Sequence, residues 1–206
     1  NNKGTFGFVN VGSNNIIESD ISNVTLQNNS VYIYSSDKSG TSTNPQVINN
    51  TNITTTGNNN YGIYSAGYVV NEGNMNLVTG TGNVGAYSIQ AGTIENRKRA
   101  DGTGGVITVG GTVLGENEYG IGMAAGYTWT KEDLLKPMAD RPIQTTGNIV
   151  NRGTINVNGQ YSMGMYGTGA GTTVNNYGTI NLNANNTTGM YLTNNAVGHN
   201  YGIITN

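Results

Sequence analysis

Val150-Asn151-Arg152-Gly153-Thr154-Ile155-Asn156-Val157 decides the architecture, because the chain keeps returning to it. The phrase occurs earlier as Val70-Asn71-Glu72-Gly73-Asn74-Met75-Asn76-Leu77. It recurs, one residue longer, as Val174-Asn175-Asn176-Tyr177-Gly178-Thr179-Ile180-Asn181-Leu182. A second phrase, built on Gly and Tyr, alternates with it: Tyr61-Gly62-Ile63-Tyr64, Val84-Gly85-Ala86-Tyr87, Met163-Gly164-Met165-Tyr166 and Thr188-Gly189-Met190-Tyr191. An uninterrupted repeat runs to about 23–25 residues, enough for three short strands and three turns but too short for two helices with their connections.

Within a repeat, Thr179-Ile180-Asn181-Leu182 alternates with period two, so Ile180 and Leu182 share one face. Coiling such units stacks each strand in parallel on its copy one turn away. The fold class expected is all-β, a right-handed parallel β-helix of three short strands per turn. Residues 1–206 form one segment of roughly seven turns, with insertions near 35–45, 97–104 and 127–145. Ile53, Met75, Ile107, Ile155 and Ile180 should make one internal ladder, with Leu77, Val109, Val157 and Leu182 beside it. Asn49, Asn71, Asn96, Asn151 and Asn175 should stack at one corner, their amides bonding from turn to turn. Gly62, Gly85, Gly120, Gly164 and Gly189 mark a column where a side chain is not tolerated; in the degenerate second repeat Val31 holds that place. Tyr64, Tyr87, Tyr166 and Tyr191 form another column. It serves either as stacked packing or as a platform for sugar faces, and its direction, inward or outward, is open.

Composition narrows the function. There are 32 Gly, 35 Asn and no Cys in 206 residues, with only 10% charged residues and a formal charge of -2. No basic footprint for nucleic acid is present. The chain offers no His cluster for zinc, no phosphate-cradling glycine loop and no calcium-binding nonapeptide, so neither cofactor nor metal is expected. His199, the sole His, replaces Asn175 in the corner stack. The acids are scattered. Glu116 and Glu118 face Gln160 and Ser162 when Gly120 is aligned with Gly164, and Glu72 and Glu95 should diverge. Paired carboxylates about 5–9.5 Å apart, as glycoside hydrolysis needs, are therefore not anticipated, and the sequence reads as a non-enzyme.

Binding is sought in the insertions. Thr130 should cap a short helix with Asp133 closing a capping box, and Trp129 or Leu134 and Leu135 should anchor it on the rod. Tyr127, Trp129, Lys131 and Arg141 are the first contact candidates. Arg97, Lys98 and Arg99 are the second, a concentrated positive patch.

The repeats Val150 to Tyr166 and Val174 to Tyr191 resemble those of the large autotransporter adhesins of fusobacteria and their relatives. The resemblance implies a monomeric fragment of a cell-surface passenger, excised from a longer protein with an outer-membrane β-barrel translocator. Its partners would be surface proteins or glycans of a host or of other bacteria. The expected function is a non-enzymatic adhesin segment. Alternatives are a stalk carrying a distal tip, and a polysaccharide lyase or glycoside hydrolase built on a β-helix.

Overall fold

The computed structural model describes residues 4–111 and 118–206. It is a right-handed parallel β-helix walled by three seven-stranded parallel sheets. The first sheet is built from Thr5–Asn10, Ser30–Ser35, Tyr61–Ser65, Val84–Ser88, Ile121–Ala125, Met163–Thr168 and Thr188–Thr193. The second takes Ile17–Glu18, Val47–Asn49, Tyr68–Asn71, Thr93–Asn96, Asn148–Asn151, Thr173–Asn176 and Val197–Asn200. The third takes Asn23–Leu26, Asn52–Thr55, Met75–Leu77, Val106–Val109, Thr154–Val157, Thr179–Leu182 and Ile203–Thr205. Insertions 35–45 and 127–145 both follow strands of the first sheet, whereas 97–104 follows the second.

The apolar ladder of the third sheet is in the anticipated register: Ile53 pairs with Met75, Met75 with Ile107, Ile107 with Ile155 and Ile155 with Ile180. All five are buried in one core with Leu77, Val109 and Val157. The first sheet adds Ile63, Ala86, Met123 and Met165, and the second adds Val69, Ile94, Ile149 and Val174. Burying each large side chain contributes about 1.5–3 kcal/mol.

Glycine recurs because the first sheet passes close to that ladder. A Cβ on Gly85 would stand 2.8 Å from Cγ2 of Ile107 and 2.5 Å from the Gly122 carbonyl oxygen; on Gly164 it would stand 2.8 Å from Cγ2 of Ile180. None of these glycines has a left-handed backbone, so close approach is the cause. Two register assignments need correction. Gly122, not Gly120, continues the column, because Ile121 pairs with Val84 and Met163. In the second turn Tyr32, not Val31, holds the position. Its ring is buried in the core, and its hydroxyl lies 3.0 Å from Oγ1 of Thr51.

The corner ladder is continuous. Asn49 Nδ2 donates to Asn71 at 2.8 Å, Asn71 to Asn96 at 2.8 Å, and Asn96 to Asn151 at 2.9 Å. It then runs through Asn176 at 2.8 Å and Asn200 at 2.7 Å, not through Asn175. The third long phrase is one residue longer, and the extra residue lies before the ladder Asn rather than after it. His199 does pair with Asn175, but one position ahead of the ladder. Each amide also serves the corner backbone, as Asn96 does in donating to the Gly105 carbonyl at 2.8 Å.

Two substitutions test this frame by urea denaturation. Asn96→Ala removes a buried donor and acceptor together and should cost about 1–3 kcal/mol. Gly164→Ala forces a methyl against Ile180 and should cost about 1–3 kcal/mol. Unchanged midpoints would refute the two roles.

Candidate functional site

The tyrosine column faces outward. Tyr34, Tyr64 and Tyr87 stand in register, Ala124 interrupts them, and Tyr166 and Tyr191 follow. Outward aromatic rings on adjacent turns meet because the parallel pairing places them opposite one another. Tyr34 and Tyr64 stack at 6.1 Å. Tyr61, one position over, stacks on Tyr87 at 6.0 Å and meets Tyr64 edge-on at 5.5 Å. Burial raises the pKa of Tyr61, Tyr64 and Tyr87, so all three keep their protons at neutral pH. The Tyr87 hydroxyl donates to the Gly126 carbonyl at 2.8 Å, which fixes the root of the next insertion.

That insertion leaves and re-enters through an antiparallel bridge between Tyr127 and Thr145. Lys131–Leu134 is helical, with the anticipated capping box between Thr130 and Asp133. Trp129 is an anchor, but within the insertion itself: its Nε1 donates to the Pro142 carbonyl at 2.7 Å, and the Arg141 guanidinium lies 5.0 Å from its ring centroid. Arg141 also ties down the carbonyls of Leu134 and Lys136 at 3.0 Å each. The leucines are not anchors. Leu134 is 54% exposed and Leu135 88%, because this internal clamp already holds the excursion and no rod surface meets them. Lys131 is exposed.

Between the insertion arm and the outer face of the first sheet lies a groove of about 800 Å³. Tyr61, Tyr64 and Tyr87 supply one wall, and Tyr127, Ile143 and Gln144 supply the other. Gln90 and Thr145 also line a smaller adjoining hollow, together with Thr128 and Thr146. Gln90 is exposed and holds φ at 51°, in the left-handed region that non-glycine residues seldom enter. The sequence pattern points to Tyr127 but not to Gln90 or Gln144. A signal was present for Gln90: it occupies a turn where later copies carry Gly169 and Asn194.

Charged groups gather elsewhere, at the second sheet's corner. The Arg97 guanidinium pairs with Glu72 at 2.9 Å, and Arg152 pairs with Glu95 at 3.1 Å. Glu95 also accepts the Tyr68 hydroxyl at 2.5 Å; burial, then this bond, raises the Tyr68 pKa. Arg152 lies 4.4 Å from the Tyr177 ring centroid, and Tyr177 stacks on Tyr201 at 4.9 Å. Glu72 and Glu95 are each held by a guanidinium of their own. Of the positive patch expected of Arg97, Lys98 and Arg99, one cation forms an ion pair and two keep their charge. Arg99 folds back to donate to the Asn50 carbonyl at 2.9 Å, Arg97 is engaged by Glu72, and only Lys98 is exposed. Glu118 accepts a hydrogen bond from Thr81 at 2.6 Å, while Glu116 lies outside the described residues. Among the described residues no three acids or histidines converge to hold a cation.

Asp133 accepts a hydrogen bond from the Tyr127 hydroxyl on the groove wall. Bonds from Lys136, Tyr127 and the Thr130 backbone hold its carboxyl well below the usual carboxylate range, and the Tyr127 phenol is pushed up to about 12, first by the same Asp133 bond. The depressed Asp133 contributes stability above its ordinary value of 3.8, lost as pH falls through its folded value. The raised Tyr127 contributes below 10.0, lost as pH rises toward about 12. Emission from Trp129, the only Trp, should therefore be constant between about pH 5 and 9 and shift on both sides of that window. A flat profile from acid to alkali would show that this pair does not hold the wall.

No curated protein and no solved structure matches this chain. A family model does, described as the BigA third pectate lyase-like domain, over residues 2–202. The match overturns two expectations together: that this is a non-enzymatic adhesin segment, and that the chain is not an enzyme. The family is pectate lyase-like by description, which favours the lyase or hydrolase alternative. The family is not specific to fusobacterial autotransporters. On a match spanning nearly its whole length, the chain belongs to the family of the BigA third pectate lyase-like domain.

Proposed function

We propose that this β-helix acts on a polysaccharide, whose chain lies in the tyrosine groove of the first sheet. The groove carries the reading. It is a concave surface with aromatic rings on one side and an insertion arm on the other, on a scaffold whose family is pectate lyase-like. Pyranose rings present apolar faces of C–H bonds that pack on phenol rings, and their hydroxyls suit the amides of Gln90 and Gln144. The Tyr127 hydroxyl, which donates to the Asp133 carboxylate, fixes the opposing wall of the groove.

The repeats that resemble autotransporter passengers support a place in the exported part of a type V secreted protein at the bacterial outer membrane. Surface glycans of a host or of neighbouring bacteria are then the accessible substrates. Protease shaving of intact cells tests that placement; protection of the domain would end it.

Incubation with a panel of polysaccharides should release new reducing ends, and ultraviolet absorbance separates the unsaturated product of a lyase from the saturated product of a hydrolase. Tyr127→Phe keeps the ring and removes the bond to Asp133 that holds the wall, so it should lower turnover about tenfold. Wild-type turnover in the Tyr127→Phe protein would show that this bond does not position the wall, and no cleavage across the panel would sink the catalytic reading.

A further inference from the structure

We infer that the groove selects a neutral pyranose chain over a polyuronate. The inference rests on the polysaccharide reading above and names the substrate class of that same site.

Charge makes the distinction. Among the described residues no charged side chain lines either the groove or the adjoining hollow; their polar groups are phenols, hydroxyls and the amides of Gln90 and Gln144. Two charges of opposite sign stand beside this lining, with Lys38 exposed at the rim. The Lys38 ammonium donates to the Gln90 carbonyl at 2.9 Å, and the Asp133 carboxylate sits behind Tyr127, paired with Lys136 at 2.7 Å. A polyuronate brings one carboxylate per sugar. Laid in this groove, carboxylates beyond reach of the single rim cation Lys38 would lose hydration without meeting a cation among the lining residues, at a cost of several kcal/mol for each charge buried unpaired. A neutral sugar loses only hydroxyl hydration, which amides and phenols replace.

Two further observations fit such a chain. Gln90 keeps its carboxamide at the groove although its φ of 51° would suit glycine, a conformation that costs about 1 kcal/mol or more for a side-chain-bearing residue. Ile143 is 89% exposed on the opposing wall beside Pro142, an apolar lip facing the tyrosines across the groove, where a sugar ring can be sandwiched. Neutral sugars carry no acidic C–H beside a carboxylate, so elimination is closed to them.

The test is titration calorimetry of the whole domain with neutral glucans, galactans and mannans and with polygalacturonate, at low salt and at about 0.5 M salt. At least one neutral chain should bind about tenfold or more tighter than polygalacturonate, with affinity unchanged by salt. Tyr64→Ala should weaken that binding about tenfold. Gln90→Gly relaxes the backbone, so it should leave the fold intact while weakening binding about fivefold. Equal or tighter binding of polygalacturonate, or binding that fades with salt, overturns the neutral-chain inference while leaving the polysaccharide reading intact. Binding of neither class overturns both. Parent-like affinity in both variants, with either chain, removes the groove as the site.

Discussion

In-register parallel stacking is the constraint on which the rest depends. Every side chain meets its own counterpart one turn up and one turn down, so a column must be chemically compatible with itself. Apolar residues satisfy this, and so do aromatic rings. Among polar side chains the carboxamide does it best, because it donates at one end and accepts at the other and can repeat indefinitely. The run from Asn49 to Asn200 is that solution in place, with each amide also serving a corner carbonyl. A column of one charge would repel itself, which explains 35 Asn beside 10% charged residues. At the second sheet's corner two acids have partners of opposite sign, Glu72 with Arg97 and Glu95 with Arg152.

The same constraint explains how much of the fold is legible in the sequence. Period-two alternation within Thr154–Val157 and its copies places the Ile and Val residues inside, and the repeat length leaves room for three strands, so the β-helix and its apolar ladder follow from pattern alone. Register at the insertions does not follow. Between Gly85 and Gly122 the chain carries residues 97–104 beyond the basic repeat, and Tyr119-Gly120 copies the motif that Ile121-Gly122 fulfils. What decides is whether a missing Cβ is needed against Ile155, and only the assembled core supplies that answer. Asn175 and Asn176 pose the same problem: two identical side chains adjacent in sequence, of which one faces the buried corner.

The candidate site was half legible for a related reason. A β-helix presents its outward columns as residues recurring at the repeat period, and the tyrosine column is one of them. Its direction depends on which neighbour, Gly or Tyr, the narrow interior can admit, and that is again a packing question. The second wall belongs to an insertion with its own small framework of Trp129, Arg141 and the capping box. Leu134 and Leu135 read as an anchor by helical spacing, yet the clamp around Trp129 leaves them in solvent. Gln90 carried the faintest signal. It is an ordinary residue in a turn, and only its backbone conformation shows that glycine would have been the easier choice.

Scaffold and chemistry are separable in such a molecule. The interior columns fix the sheets, while outward residues at the same positions can change without disturbing a core contact. A cleft can therefore persist through the β-helix architecture while the charge of its lining changes between relatives. Here two ion pairs at the second sheet's corner link successive turns. The first sheet's cleft is left to phenols and amides. That division follows from the stacking constraint. Charges are tolerated where opposite partners arrive on the next turn, and sheet faces without such partners stay neutral. What the cleft can hold is thus set by the rule that built the wall behind it.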